Sequence, residues 1–150
     1  LIITKEGPKV LEFNARFGDP ETQVILPGLE TDLMEIIQAT IDGSLQRIEL
    51  SWKKQSTVCV VMASQGYPGV YEQGKTITGL GELRDSGDIM IFHSGTQKKN
   101  NQIVSAGGRV LGVTAWADSL KEAIDKAYQG IEKIHFENSY YRKDIGKKGL

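Results

Sequence analysis

The sequence predicts an α+β protein, and three observations carry that expectation. An unbroken apolar run, "STVCVVMAS", is followed by several short β-type runs separated by Gly and Asn. One long helical period lies near the C-terminal end, at about Ser119–Ile134. A shorter helix and a hairpin precede residue 50, where the character of the chain changes.

In chain order, "LIIT", "KEGPK" and "VLEFNAR" read as strand, turn and strand, with Gly7 and Pro8 in the turn. "RFGDPE" is loop by composition, because Gly18, Asp19 and Pro20 favour turns. A helix is predicted over about Thr31–Asp42. Asp32 and Glu35 make a capping-box-like start, and Gly43 suits the position just past the end. Its buried stripe would be Leu33, Ile36, Ile37, Thr40 and Ile41. Beyond residue 50 come "STVCVVMAS", a punctuated loop "QGYPGVYEQGK", and strands near "DIMIFHSG", "QIVSAG" and "RVLGVTAWA", with "KKNN" as a hairpin tip. Ser119 and Glu122 cap the last helix, which presents Leu120, Ile124, Ala127, Ile131 and Ile134 on one face. The division at residue 50 yields a short α/β piece, 1–50, and a β-rich unit, 51–150.

Composition narrows the functional classes. The 150 residues are 39% hydrophobic and 25% charged, with a formal net charge of −1, which suits a folded domain and supplies no global field for nucleic acid. A single cysteine, Cys59, excludes an intramolecular disulfide and fits a reducing compartment. It lies in an apolar strand, where a small buried hydrophobe is the expectation. No run approaches ~18 apolar residues, so no membrane helix is predicted. The opening "LIIT", without a methionine or a signal-like leader, reads as a cut through a longer protein.

Residues 69–76, "GVYEQGKT", match G-x-x-x-x-G-K-[ST], the loop that cradles phosphates. That loop must run directly into a helix. Here "TITGLGEL" follows, with β-branched residues and Gly79 and Gly81, so the match is predicted to be a surface turn.

"LEFNARFGDPE" carries more chemistry. On a strand Glu12, Asn14 and Arg16 would share one face, with alternate residues roughly 6–7 Å apart. A carboxylate and an amide oxygen at that spacing can converge on a hard cation, and Arg16 could grip an anion. The same alternation also describes any half-buried strand with a wet face.

The extended segment "EFNARFGDPETQ" closely resembles the metal-binding segment of the ATP-grasp ligases, specifically glycinamide ribonucleotide synthetase (phosphoribosylamine–glycine ligase). "VVMASQGYPGVYEQGKTITGL", "IFHSGT", "GGRVLGVTA" and "YYRKDIG" are similar to that family in order, over nearly the whole chain. The resemblance implies the C-terminal part of an ATP-grasp domain at 1–50, then a small β-rich, hybrid-motif-like C-terminal domain with one long helix at 51–150. It implies ATP-dependent ligation of glycine to 5-phosphoribosylamine, through a glycyl phosphate, giving glycinamide ribonucleotide, ADP and phosphate in cytosolic purine synthesis. By the same resemblance, Glu12 and Asn14 bind Mg²⁺ or Mn²⁺, and Arg16 and Asp19 sit at the substrate end, Arg16 on an anion and Asp19 on an amine. The partners implied are ATP, glycine, 5-phosphoribosylamine and the upstream half of the same chain, which would carry the adenine pocket, the lid and the phosphate-binding lysines. Ala15 stands where Cys is common in the family.

Two other readings stay open at this level. A sibling ATP-grasp carboxylase or carboxylate–amine ligase also presents E-x-N-x-R, although "FGDPETQ" favours the glycine ligase over biotin-dependent relatives. A non-catalytic β-rich packing domain would present the same polar face to solvent. His93 could transfer protons or be a hydrogen-bonded structural residue. His135 reads as a helix-end or surface residue, and Arg109 as a salt-bridging residue whose place relative to the cleft is open. Tyr67, Tyr71, Tyr140 and Tyr141 are expected as core or rim aromatics.

Overall fold

The computed structural model describes residues 1–150. Ile2–Thr4 (β1) and Gly7–Lys9 (β2) form the expected antiparallel hairpin. Its turn is Lys5–Glu6, two residues earlier than predicted, closed by Thr4 Oγ1 donating to the Gly7 carbonyl at 2.8 Å. Gly7 and Pro8 therefore belong to β2. The predicted strand through "VLEFNAR" is not formed: residues 10–15 carry no strand hydrogen bonding. The register explains this. Ile2 already faces Lys9, so nothing in this chain lies across from Leu11 onward.

A short helix that the sequence did not suggest follows at Thr22–Gly28 (α1). It contains Thr22, Val24, Ile25 and Pro27, all poor helix formers. Two forces hold it. Thr22 Oγ1 and the Thr22 amide both donate to the Gly18 carbonyl, at 2.6 and 2.9 Å, and the helix packs on the sheet behind it. The second helix, Leu33–Ile41 (α2), starts at Asp32, whose Oδ1 accepts from the Met34 amide at 2.7 Å. Glu35 makes no reciprocal bond. The predicted stripe on α2 is only half covered. Leu33 and Ile36 are half-buried, Ala39 is buried, and Ile37 and Ile41 face solvent.

The centre of the fold is an antiparallel sheet of Ser56–Ser64 (β3), Ile89–His93 (β4), Arg109–Ala117 (β7) and Ser139–Tyr140 (β8), in the order β4-β7-β3-β8. Between β4 and β7 a separate hairpin, Thr96–Lys99 (β5) and Gln102–Ser105 (β6), turns at Asn100–Asn101. Both asparagines have positive φ (49° and 63°), the conformation that a two-residue hairpin turn demands and asparagine tolerates. The "KKNN" tip is thus where the sequence predicts it.

The final helix, Leu120–Lys133 (α3), covers one face of the sheet. Val58, Val60, Met62, Leu111, Val113 and Ala115 meet Ala123, Ile124, Ala127 and Ile131 in the core. Gly130 lets the helix approach, since a Cβ there would stand 3.2 Å from Val113 Cγ1. α1 covers the opposite face of the sheet. At Gly112 an added Cβ would meet Cys59 Sγ at 3.2 Å and Gln23 Cγ at 4.0 Å.

The capping box of α3 forms as predicted: the Glu122 amide donates to Ser119 Oγ at 3.2 Å, and the Ser119 amide to Glu122 Oε2 at 3.3 Å. Ser119→Ala is expected to cost about 1 kcal/mol, read as a lowered urea midpoint. An unchanged midpoint would mean that packing alone sets the start of α3.

Candidate functional site

Glu12 and Asn14 lie side by side: Asn14 Nδ2 donates to Glu12 Oε1 at 3.2 Å. Both are exposed, and the intervening Phe13 is 90% exposed. The apolar half of the segment, Leu11 and Phe13, therefore faces solvent rather than a core. Turning the Asn14 amide about its last side-chain bond would present Oδ1 where Nδ2 now sits. One carboxylate and one amide oxygen can then address a single point. That is a partial donor set of the kind Mg²⁺ accepts, because it keeps waters and substrate phosphate oxygens. No group of three His, Cys, Asp or Glu side chains that could hold a metal ion occurs in the chain, so an ion here would need ligands from beyond these residues.

Arg16 and Asp19 lie in the turn just before α1. Arg16 Nη1 donates to the Phe17 carbonyl at 3.4 Å. Gly18 is packed between Arg16 and Glu21: a Cβ there would come within 2.3 Å of Glu21 Oε2 and 3.3 Å of Arg16 Nη1. Asp19 is the most connected of the predicted residues. Gln23 Nε2 donates to its Oδ1 at 2.9 Å, and Arg109 Nη2 pairs with its Oδ2 at 3.2 Å. Arg109 Nη1 also donates to the Asp19 main-chain carbonyl at 3.1 Å. Thr114 Oγ1 then donates to the Gln23 carbonyl at 3.0 Å. The loop and the head of α1 are thus tied to β7 at two points. Sequence reasoning left the place of Arg109 open and passed over Gln23. The glycine pair Gly107–Gly108 before Arg109 was the one signal of it, since glycines mark close backbone approach.

Beside the Asp19–Arg109 pair is a mostly apolar cavity of about 230 Å³, lined by Pro20, Cys59, Ala63, Tyr67, Tyr140 and Arg109 among others. Burial pushes the Cys59 thiol above its ordinary value; a hydrogen bond to Thr114 pulls against that shift, and the nearby Asp19 charge adds to it. A protonated, buried thiol is a poor nucleophile, as the apolar run implied. Tyr67 and Tyr71 meet edge to face at 6.0 Å, a rim pair rather than a stacking platform. A larger groove of about 650 Å³ contains His93 and Arg84. It has no carboxylate, and none of residues 12–19 lines it, so it is separate from the Glu12–Asp19 segment. His93 Nδ1 is 2.9 Å from Thr96 Oγ1, a hydrogen-bonded position at the end of β4. His135 pairs through its backbone with Thr78.

The phosphate-loop match is an irregular surface turn. No helix runs on from Thr76, which forms an isolated bridge to Val104; the next helical turn, at Leu80–Leu83, starts only after Gly79. Lys75 is bound by Glu72 at 2.8 Å and Glu137 at 3.0 Å. Those hydrogen bonds raise its pKa, so its charge is already matched by two carboxylates.

Comparison with known proteins bears on the fold and the family. Residues 57–148 match the family model described as phosphoribosylglycinamide synthetase, C domain. A phosphoribosylamine–glycine ligase of Caldanaerobacter subterraneus subsp. tengcongensis is 57% identical over 145 residues, covering 97% of this chain and 34% of the relative. The human trifunctional purine biosynthetic protein adenosine-3 is 50% identical over 151 residues, covering all of this chain and 15% of that protein. The crystal structure of the Thermotoga maritima phosphoribosylamine–glycine ligase superposes with a TM-score of 0.72 at 34% identity, over 95% of this chain and 34% of that one. The chain spans about a third of the length of the single-function ligases it matches. With the sheet, its capping helix and the matched residues in agreement, the chain belongs to the phosphoribosylglycinamide synthetase family.

Proposed function

We propose that this chain is the C-terminal part of a cytosolic ligase of purine synthesis that joins glycine to 5-phosphoribosylamine, with conversion of ATP to ADP and phosphate. The names of the relatives support the reading. The observation that carries it is the adjacency of Glu12 and Asn14 at 3.2 Å on an exposed segment. We assign residues 1–50 to the end of an ATP-grasp domain and residues 51–150 to the C-terminal domain.

Glu12 and Asn14 would hold Mg²⁺ or Mn²⁺ through their side-chain oxygens. Bound there, the ion would neutralise charge on the phosphoryl group as it passes from ATP to the glycine carboxylate. The chain's own residues would do the positioning. Arg16 donates weakly within its loop, which leaves most of its five N–H donors for a substrate anion. Asp19 accepts one bond on each carboxylate oxygen from Gln23 and Arg109. A carboxylate offers about four lone-pair sites, so capacity remains for an amine. The amine displaces phosphate from the activated glycine, and a proton leaves the nitrogen as the amide bond forms.

The test is ADP release by the full-length chain. It should require both glycine and 5-phosphoribosylamine, and residues 1–150 in isolation should release none. ADP formation indifferent to glycine would overturn the assignment.

A further inference from the structure

The first residue of β7 breaks the alternation of its strand. Leu111, Val113, Ala115 and Ala117 point into the core beneath α3, and a period of two would send Arg109 the same way. The register prevents it. Met62 lies opposite Leu111, but Ala63, the next residue of β3, lies opposite Arg109, which leaves Val110 as an extra residue. An insertion of this kind bends a strand and re-aims its side chains. Val110 enters the core with no exposed surface. Arg109 emerges on the other face, beside Ala63 and Cys59, where it lines the cavity next to Asp19.

The neighbouring backbone holds this geometry. Gly108 lies under the Tyr67 ring, where an added Cβ would stand 2.0 Å from Cδ2. The Gly95 amide donates to the Arg109 carbonyl at 2.8 Å, and a Cβ at Gly95 would come within 2.6 Å of that oxygen. Arg109 is therefore fixed through its main chain before its side chain makes any contact. From there its planar fork reaches both a carboxylate oxygen and the main-chain carbonyl of Asp19, at 3.2 and 3.1 Å.

We propose that Arg109 is a positioning residue for the Arg16–Asp19 loop, and that the bulge at Val110 exists to turn it onto that loop. The inference rests on the ligase reading, because Asp19 needs precise placement only if the loop meets substrate. A bare ion pair between two side chains, each 42% exposed, would contribute little to stability. The second contact, to the backbone, is what orients the loop rather than merely attracting it. A lysine could make one of the two contacts but not both.

The experiment uses the full-length chain. Arg109→Ala is expected to lower kcat/KM for the amine substrate about 100-fold, the cost of a misplaced contact group. Its melting temperature should stay close to that of the parent. Arg109→Lys should recover part of the loss. Arg109→Ala combined with Asp19→Asn should cost no more than the worse single change, because the two act as one unit. Amide exchange over Phe17–Thr22 should quicken in Arg109→Ala and less so in Arg109→Lys. An Arg109→Ala enzyme within about twofold of the parent in kcat/KM, or losses that multiply in the double variant, would overturn the proposal. Glu12→Ala in the same background, with the parent's own need for glycine, separates the two readings. If Glu12→Ala lowers turnover while Arg109→Ala is silent, only the positioning role fails; if the parent itself releases ADP without needing glycine, the ligase reading fails.

Discussion

Glu12→Ala in the full-length chain is expected to lower turnover by about 10²–10³-fold, the range found when one preorganised electrostatic contact to a developing charge is removed. Folding should be nearly untouched. The side chain is exposed, and its one hydrogen bond within the chain is the 3.2 Å contact from Asn14. Changes at such positions usually stay within about 0.5 kcal/mol. Loss of turnover without loss of stability is the signature of a ligand to something outside the fold. Asn14→Asp, which keeps an oxygen at the same reach, should retain more activity than Asn14→Ala. Steady-state kinetics beside thermal melts decide the matter. Unaltered kinetics in Glu12→Ala would instead mean a solvated segment with no metal role.

Leu111→Ala should have the largest effect on stability, about 2–5 kcal/mol. Leu111 is 0% exposed. It sits on the central strand β7, opposite Met62 on one side and His93 on the other, within the cluster under α3. The two strand partners and the helix cannot all move in to fill the space, so a cavity would remain. For a chain of this length each kcal/mol shifts the melting temperature by about 2–4 °C, and the expected fall is on the order of 10 °C. Val70→Ala, at a side chain 99% exposed, is the control and should melt with the parent. A fall below about 2 °C for Leu111→Ala would mean that the sheet is not the cooperative centre of the molecule.

What the sequence reveals of the fold depends on where each element finds its stabilisation. β3 reads as a continuous apolar run because α3 buries one face and α1 much of the other. α3 reads clearly because Ser119, Glu122 and its apolar face all act within one helix. α1 could not be read, because its residues oppose helix and its support comes from the Gly18 carbonyl and from distant β3. The strand expected over 10–16 needs a partner beyond Ile2, and this chain supplies none. Glu12, Asn14, Arg16 and Asp19 were legible as a motif. The tie from Asp19 to Arg109, across 90 residues, was not. A one-residue register slip decides which face Arg109 takes, and a period-two pattern cannot show such a slip.

The bare apolar side chains of the first fifty residues, among them Leu1, Ile3, Leu11, Phe13 and Ile41, have a colloidal consequence. Handled as a separate polypeptide, this chain would self-associate through them as its concentration rises, and detergent or dilution would disperse it.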